Sequence, residues 1–308
     1  MLDLLAVGGA HIDRTARMIA PHIMGASNPA HVSETVGGGA FNAARNAQML
    51  EITQVGMMSV RGGDAAGQAV EAAIERAGLA DLSGSFIDRN TPTYTAILDV
   101  DGELVTAFAD MALYDYGFGR QVRRLEGRTR IAEAGHVLID ANLPEAAIDL
   151  ATHYATGPCF AMCISPAKAV RLLPFLARFH TVFLNRRELA ALTQETEIDR
   201  QMDALLSLGV RQAVITNGAA EILVIDRHNT VALKVPTMDK VVDVTGAGDA
   251  LTGATIASMI TNPDQALEIC AIAGIAAAQL TLQTDGPVCE SIDEQAFAAM
   301  VEEVANKQ

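Results

Sequence analysis

The sequence of 308 residues contains no tryptophan and only 4 % aromatic residues, and its 22 Lys and Arg face 37 Asp and Glu, for a net charge of −15. So few aromatic residues argue against an aromatic-rich β-sandwich, whereas the abundant alanine and glycine suit helices packed closely on a sheet. A charge this negative argues against a nucleic acid polymer or an anionic membrane as partner, because both are bound through a positive field. The negative net charge does not exclude a local site that binds an anionic ligand.

Cysteine and long apolar runs are also scarce. The four cysteines form no Cys-x-x-Cys pair, which argues against a zinc site or a disulfide framework and places them in the core of a cytoplasmic protein. The amino-terminal segment 1–9 has no basic residue and an early Asp3, so it predicts a buried strand rather than a signal peptide. The apolar stretch 266–282 contains Glu268 and predicts a buried helix rather than a membrane span.

Short apolar runs alternate with longer helical patterns along the chain. Runs rich in Val and Ile without polar alternation predict strands that are buried on both faces, at 4–8, 54–59, 136–139, 159–164, 181–184, 213–216 and 221–225. Helical patterns lie between them, at 40–50, 65–77, 144–155, 167–177 and 186–192. This alternation predicts an α/β fold with a mainly parallel central sheet and helices on both faces.

Two segments interrupt the alternation. Residues 14–36 are polar, are broken by Pro21 and Pro29, and are too long for an ordinary strand-to-helix connection. Residues 93–110 predict a hairpin that turns at Asp101-Gly102-Glu103. We therefore expect one domain over residues 1–308, with these insertions paired as a small β lid; a plain surface excursion is the alternative. Because unpaired strand edges invite pairing, such a lid also suits a homodimer.

The segment 243–249 has the sequence Asp-Val-Thr-Gly-Ala-Gly-Asp and precedes a helical run at 251–259. Glycines at 246 and 248 let the backbone turn tightly and present its amide N–H groups without obstruction. The helix that follows points its free N–H groups and partial positive charge at the same place, so phosphate oxygens can bind there without Lys or Arg. Asp249 can accept the proton of an attacking hydroxyl. For Gly-Ala-Gly-Asp alone, a purely structural helix cap is the alternative.

A second glycine turn precedes a predicted helix at 37–42, Gly-Gly-Gly-Ala-Phe-Asn, where Asn42 can both donate and accept hydrogen bonds. The segment is also a near miss for the dinucleotide-binding fingerprint, but Asn42 stands at the third glycine position. A dinucleotide-dependent oxidoreductase is therefore an alternative with the same layout. No Gly-x-x-x-x-Gly-Lys-[Ser/Thr] string occurs in the sequence, which argues against a P-loop enzyme.

The segment 243–249 resembles the carboxy-terminal signature of the ribokinase-like carbohydrate kinases, also called the phosphofructokinase-B type family. Five other segments resemble motifs of that family and occur in its order, at 8–13, 37–42, 63–67, 185–188 and 216–218. The resemblance covers about residues 4–287. It implies a ribokinase-like fold and an ATP- and magnesium-dependent enzyme that transfers the γ-phosphoryl group to a hydroxyl of a sugar or nucleoside.

The resemblance also implies roles for particular residues. It makes Asp249 the catalytic base and the backbone of Gly246, Ala247 and Gly248 the anion hole. It assigns acceptor binding to Asp13, Gly38, Gly39 and Asn42, and the nucleotide side to Asn185, Thr216 and Gly218. Glu188 would organise magnesium, through water, while Asp243 and Thr245 match part of a monovalent-cation site that would suit potassium. A solvated loop position for Asp13, and a helix cap with an exposed Glu188, are the structural alternatives.

The acceptor is not named by fold and base alone. Segments 27–29 (Ser-Asn-Pro) and 164–168 (Ile-Ser-Pro-Ala-Lys) resemble the pseudouridine-kinase branch, which implies the primary hydroxyl of a ribose that bears a base. A turn and a helix start would explain the same residues without a ligand. A ribokinase- or fructokinase-type sugar kinase is the alternative, and a phosphorylated sugar would call on His11, Arg14 and Arg17. A catalytically silent sugar- or nucleoside-binding protein is the alternative of another class.

Overall fold

Strands and helices alternate in the computed structural model, which describes residues 1–50, 52, 54–226, 229–238, 240–290 and 292–308. The strands are β1 (Leu4–Val7), β2 (His11–Met18), β3 (Ala30–Gly37), β4 (Val55–Met58), β5 (Val60–Gly62), β6 (Ala80–Asp81), β7 (Gly84–Phe86), β8 (Thr93–Leu98), β9 (Leu104–Asp110), β10 (His136–Asp140), β11 (Cys159–Met162), β12 (Thr181–Asn185), β13 (Gln212–Thr216), β14 (Ile222–Asp226) and β15 (Thr230–Leu233). The helices are α1 (Gly39–Met49), α2 (Ala65–Arg76), α3 (Ala112–Arg123), α4 (Leu125–Glu133), α5 (Glu145–Tyr154), α6 (Pro166–Ala169), α7 (Arg186–Thr193), α8 (Ile198–Ser207), α9 (Ala247–Thr261), α10 (Leu267–Thr281) and α11 (Glu294–Asn306). A 3₁₀ helix, Val170–Arg178, follows α6.

The central sheet has nine strands in the order β15-β14-β13-β12-β11-β10-β1-β4-β6. Its pairs are parallel from β13 to β6, and β14 and β15 add an antiparallel edge. Successive residues of β1 enter opposite cores: Leu4 and Ala6 pack with α1, α9 and α10, whereas Leu5 and Val7 pack with α3 and α5. The predicted α/β class is therefore confirmed, because strands covered on both faces must be apolar throughout.

A second, smaller sheet contains β2, β3, β8 and β9 in the order β3-β2-β8-β9, and we call it the small sheet. It joins the two segments that interrupt the sequence pattern: β2 pairs with β8 in parallel, with Asp13 opposite Tyr94. The hairpin turns at Gly102, whose φ is +90°. β1 ends at Val7 and β2 begins at His11, so Asp13 lies on the small sheet and not on the central sheet.

The helix predicted at residues 167–177 is not a continuous α-helix. Residues 167–177 form the short α6 and then the 3₁₀ helix, which contains Pro174. Proline has no N–H to donate and its ring clashes with the preceding turn, so a continuous α-helix cannot form there. The apolar stretch at 266–282 does form the predicted buried helix, α10, and all four cysteines are buried. No helix in the described part of the chain is long and apolar enough to cross a membrane.

Candidate active site

The start of α9 forms an open cradle of backbone amides. Gly246 caps the helix with φ +78°, and a Cβ at this position would lie 2.1 Å from the carbonyl oxygen of Pro287. Only glycine fits this combination of backbone angle and close approach. The first intrahelical hydrogen bond runs from the amide of Ala250 to the carbonyl of Gly246. The amides of Ala247, Gly248 and Asp249 therefore precede the helical ladder and point out of the helix end, where they favour an anion.

Asp249, the third residue of α9, lies against the first turn of α1. The Nδ2 atom of Asn42 donates a hydrogen bond of 2.8 Å to its Oδ2 atom, and Asn42 is only 4 % exposed. Burial raises the pKa of Asp249 to about 7; the bond from Asn42 opposes this, and the charges of Asp140, Asp13 and Glu188 add to it. A half-buried carboxyl with a pKa near neutral is suited to accept a proton at physiological pH.

The glycine turn before α1 lets the helix start approach the turn after β1. Gly38 has φ +116°, and a Cβ there would lie 2.3 Å from the carbonyl oxygen of Gly9. A Cβ at Gly39 would lie 2.4 Å from Cδ1 of Ile164. The predicted acceptor-binding motif is thus a close-packed junction, and its glycines bring Asn42 within reach of Asp249.

Asp140, which the sequence analysis did not identify, holds this junction together. It ends β10 and is fully buried. Its Oδ2 atom accepts from the amides of Gly9 (2.8 Å) and Ala40 (3.2 Å) and from Nδ2 of Asn142 (2.9 Å), while Oδ1 accepts from the amide of Asn142 (2.9 Å). A buried carboxylate with four donors satisfies its desolvation cost locally. It ties the turn after β1 to the first turn of α1, which fixes the position of Asn42.

Two cations border the same junction and were also missed. Lys168 Nζ donates to Oδ1 of Asn142 at 2.5 Å, and Arg171 donates to the carbonyl of Asn142 at 3.1 Å. Burial lowers the pKa of Lys168, and the nearby charge of Asp140 opposes that shift. Lys168 appeared in the sequence analysis only within the segment 164–168, as part of a resemblance or a helix start, and neither showed what its side chain faces.

The basic residues considered for a substrate phosphate are engaged elsewhere. His11 Nε2 lies 3.2 Å from Asp13 Oδ1, and its Nδ1 lies 2.9 Å from the hydroxyl of Tyr114. Arg14 pairs with Glu34 at 2.6 Å. Arg17 donates to the carbonyl of Val100 at 3.1 Å. These contacts disfavour a phosphate pocket built from the three residues.

Asn185 and Glu188 form a capping box at the start of α7. Asn185 Oδ1 accepts from the amides of Arg187 (2.9 Å) and Glu188 (3.0 Å), and Glu188 Oε2 accepts from the amide of Asn185 (2.8 Å). This is the helix cap considered above, but Glu188 is 4 % exposed rather than solvated. Burial raises its pKa, and its charge raises the pKa of Asp249.

The remaining predicted residues lie in two turns. Thr216 ends β13, and Gly218 has φ +59° in the turn to β14; beside this turn is a cavity of about 680 Å³ whose lining includes Asn217. Asp243 Oδ1 accepts from the amide (2.9 Å) and the hydroxyl (2.8 Å) of Thr245. Among the described residues, no three His, Cys, Asp or Glu side chains converge as a metal site.

This geometry, an amide cradle with a carboxyl of near-neutral pKa at its mouth, agrees with the comparison to known families. A family model described as pfkB family carbohydrate kinase matches residues 1–293. The chain belongs to the pfkB family of carbohydrate kinases. It is a phosphotransferase that acts on a hydroxyl group of a sugar or nucleoside, as the sequence predicts.

Similar proteins agree with this assignment. This pfkB family kinase is 26 % identical over 261 residues to the pseudouridine kinase of Escherichia coli (strain K12), covering 80 % of each chain. It is 36 % identical to a carbohydrate kinase from Agrobacterium tumefaciens, with a TM-score of 0.86 and coverage of 98 % and 97 % of the two chains. An Arabidopsis thaliana ribokinase complexed with ribose and ATP shares the fold, at 20 % identity, a TM-score of 0.82 and coverage of 98 % and 99 %.

Proposed function

We propose that this pfkB family kinase transfers the γ-phosphoryl group of ATP, with Mg²⁺, to the primary hydroxyl of a ribonucleoside, and that pseudouridine is the first candidate acceptor. The observation that carries the proposal is the Asn42–Asp249 pair, 2.8 Å long, at the amino end of α9. It places a carboxyl with a pKa of about 7 beside the amides that would hold the transferring phosphoryl group.

In the proposed reaction, the acceptor oxygen bonds to the γ-phosphorus and its proton passes to Asp249. The bond between the γ-phosphorus and the bridging oxygen of ADP breaks, and the amides of Ala247 and Gly248 stabilise the charge on the equatorial oxygens. Asp13 and Asn42 hold the acceptor hydroxyls. The small sheet acts as a lid that excludes water from the phosphoryl group.

The nucleotide side and the cations are assigned in the same proposal. The turn at Thr216–Gly218 and the cavity beside it would hold ATP. Mg²⁺ usually keeps several waters and takes one or two carboxylates together with substrate phosphates, so the buried Glu188, backed by its bond to Asn185, fits a water-mediated role. When bound, Mg²⁺ supplies neutralisation of phosphate charge. Asp243 and Thr245 would contribute to a site for K⁺.

The nucleoside acceptor is favoured over a simple sugar by Lys168. Its ammonium group lies beside Asn142, and Asn142 is close enough to Gly9 that a Cβ on Gly9 would lie 2.7 Å from its Nδ2 atom. A cation at this junction can donate to a carbonyl oxygen of a pyrimidine base, which ribose and fructose lack. The Escherichia coli relative acts on pseudouridine according to its name.

The test is ADP release with Mg²⁺ and K⁺ present, using pseudouridine, uridine, inosine, adenosine, ribose, fructose and ketodeoxygluconate. We expect the highest kcat/KM with pseudouridine and a product phosphorylated on the primary hydroxyl, identified by mass spectrometry and ³¹P NMR. Faster turnover of ribose or fructose would replace the acceptor assignment by a simple sugar kinase. Nucleoside binding without ADP formation from any acceptor would instead indicate a silent binding protein.

Replacing Lys168 with Met tests the assigned contact to the base. We expect the KM for pseudouridine to rise about tenfold, the size of a lost charge-assisted hydrogen bond, with the kcat/KM for ribose unchanged. Steady-state kinetics with both acceptors measures the difference. Lys307→Met, at the exposed residue that follows α11, is the matched control, and equal losses for both acceptors would show that Lys168 does not read the base.

We also propose that two copies pair through the small sheet. Val32 and Phe108 are 62 % and 60 % exposed, and the strand registers place both on the face opposite Asp13. An exposed apolar face beside an unpaired edge strand favours association. We expect light scattering to show a dimer that Phe108→Glu dissociates. Leu125→Glu, at another exposed position, should leave the dimer intact, and a monomeric wild type would contradict the proposal.

A further inference from the structure

A chain of polar side chains connects α3 to the acceptor-binding residue Asp13. The hydroxyl of Tyr114 lies 2.9 Å from Nδ1 of His11, and Nε2 of His11 lies 3.2 Å from Oδ1 of Asp13. Tyr114 is 1 % exposed and His11 is 8 % exposed, so both are shielded from water. The residues come from the first turn of α3 and the start of β2, which are 103 positions apart in sequence.

For a neutral His11, the direction of each hydrogen bond follows from the groups present. An ionised Asp13 can only accept, so Nε2 of His11 must carry the proton that it donates. In a neutral imidazole, Nδ1 is then an acceptor, and the Tyr114 hydroxyl donates to it. Burial raises the pKa of Tyr114 well above its usual value, which keeps this hydroxyl protonated. The three groups thus form one chain of hydrogen bonds, the relay, from Tyr114 through His11 to Asp13, and the Tyr114 hydroxyl also lies within hydrogen-bonding reach of the Ser59 side chain and the Ala10 backbone.

The second oxygen of Asp13 is held by the shape of the neighbouring strand. A Cβ on Gly37 would lie 2.0 Å from Asp13 Oδ2, so this oxygen occupies the space that a side chain at residue 37 would fill. Gly37 directly precedes the turn that leads to Asn42. The Asp13 carboxylate therefore contacts His11 through one oxygen, the other oxygen lies in the space left by Gly37, and its charge acts on Asp249.

We propose that His11 is a positioning residue, which, through Tyr114, fixes the orientation of the Asp13 carboxylate toward the acceptor. This inference rests on the proposed function, since Asp13 is taken to bind acceptor hydroxyls. His11 does not itself bind the acceptor in this assignment, because both ring nitrogens are engaged. Preorganising a binding carboxylate lowers the cost of ordering it when the acceptor arrives, which strengthens acceptor binding.

Four variants test the relay by steady-state kinetics. We expect His11→Ala to raise the acceptor KM at least tenfold, with a smaller change in kcat and an unchanged KM for ATP. His11→Gln keeps an amide donor near the position of Nε2 and should restore most of the affinity. His11→Asn places its amide near the position of Nδ1 and leaves no donor near Nε2, so it should not restore the affinity. Tyr114→Phe removes only the hydrogen bond between the Tyr114 hydroxyl and Nδ1 of His11, and it should raise the acceptor KM about two- to fivefold.

A double-mutant cycle separates positioning from a purely structural role. If His11 acts through Asp13, His11→Ala should have no further effect on the acceptor KM in an Asp13→Ala background. Additive effects, or parallel increases in the KM for ATP and for the acceptor, would overturn the inference. So would His11→Gln behaving like His11→Ala while its melting temperature equals that of the wild type.

A readout without turnover distinguishes this inference from the proposed function. Two-bond ¹H–¹⁵N correlation spectra of histidine-labelled protein should show His11 as the Nε2–H tautomer in the wild type, with loss of that preference in Tyr114→Phe. A fixed Nε2–H tautomer together with no phosphorylated acceptor would refute the proposed function and leave the relay standing. An Nδ1–H tautomer would refute the relay even if pseudouridine is phosphorylated.

Discussion

Asp249→Asn is expected to lower kcat by about 10²- to 10⁴-fold, the range that general-base catalysis contributes. The amide has nearly the size of the carboxyl and can still accept the hydrogen bond from Asn42, so the loss should fall on proton transfer rather than on folding. Steady-state ADP release with the best acceptor measures it. Near-normal turnover in this variant would refute the role of Asp249 as the base.

The same variant should be more stable than the wild type at alkaline pH. Because the pKa of Asp249 is raised from its ordinary value to about 7 in the folded protein, the folded state binds a proton that the unfolded state has released. Wild-type stability therefore falls as the pH rises from about 4 to about 7, and the full cost remains above pH 7. A pKa raised to about 7 corresponds to a cost of at most about 4 kcal/mol, and partial exposure reduces this cost to about 1–3 kcal/mol.

Thermal unfolding at two pH values measures this effect. We expect Asp249→Asn to melt several degrees above the wild type at pH 8 and at nearly the same temperature at pH 4. Asp243→Asn, at a more solvent-open position in the preceding turn, controls for the general loss of one negative charge. A stabilisation that does not change with pH would show that the effect comes from packing and not from the buried charge.

Gly246→Ala is expected to lower kcat at least about 10²-fold and to reduce the melting temperature. At φ +78°, a Cβ would lie 2.1 Å from the carbonyl oxygen of Pro287, so either the helix start or the loop at 284–288 must move. A left-handed backbone also costs alanine about 1–3 kcal/mol. Under the proposed function, displaced amides would no longer meet the phosphoryl oxygens, and losing one such donor costs about 10²- to 10³-fold in other enzymes.

Two other glycines provide the controls for this variant. A Cβ on Gly248 meets no atom within 4 Å, so Gly248→Ala should keep the wild-type melting temperature and thereby isolate the strain at Gly246. A Cβ on Gly119, in α3, also meets no atom within 4 Å, and Gly119→Ala should leave both activity and folding unchanged. Wild-type kcat in Gly246→Ala would show that the turn has no part in catalysis.

The sequence predicts well those parts of the fold that are determined by residues close together along the chain. Strands of the parallel sheet are covered on both faces, so their runs stay apolar and stand out, and glycine turns before helices are visible in a few residues. Pro174 broke a predicted helix because one residue can override the apolar pattern around it. β15 was not predicted, since three of its four residues are exposed or partly exposed and its pairing depends on β14.

The residues around the candidate site show where prediction from one sequence stops. Asp249 and Asn42 could be named because each lies in a recognisable motif, although nothing local shows that they touch across 207 positions. Asp140 gave no signal, because an aspartate after a strand is ordinary until the chain folds and three separate segments meet at it. The relay through Tyr114 has the same origin: its contacts exist only in the tertiary structure.

A single residue separates the small sheet from the helix that carries Asn42. β3 ends at Gly37 and α1 begins at Gly39, so Gly38 alone connects the two elements along the chain. Because the bond from Asn42 lowers the pKa of Asp249 while burial raises it, the proton affinity of this carboxyl depends on how closely the start of α1 lies against the start of α9. A change in the packing of either helix would therefore change the pH at which this carboxyl can accept a proton.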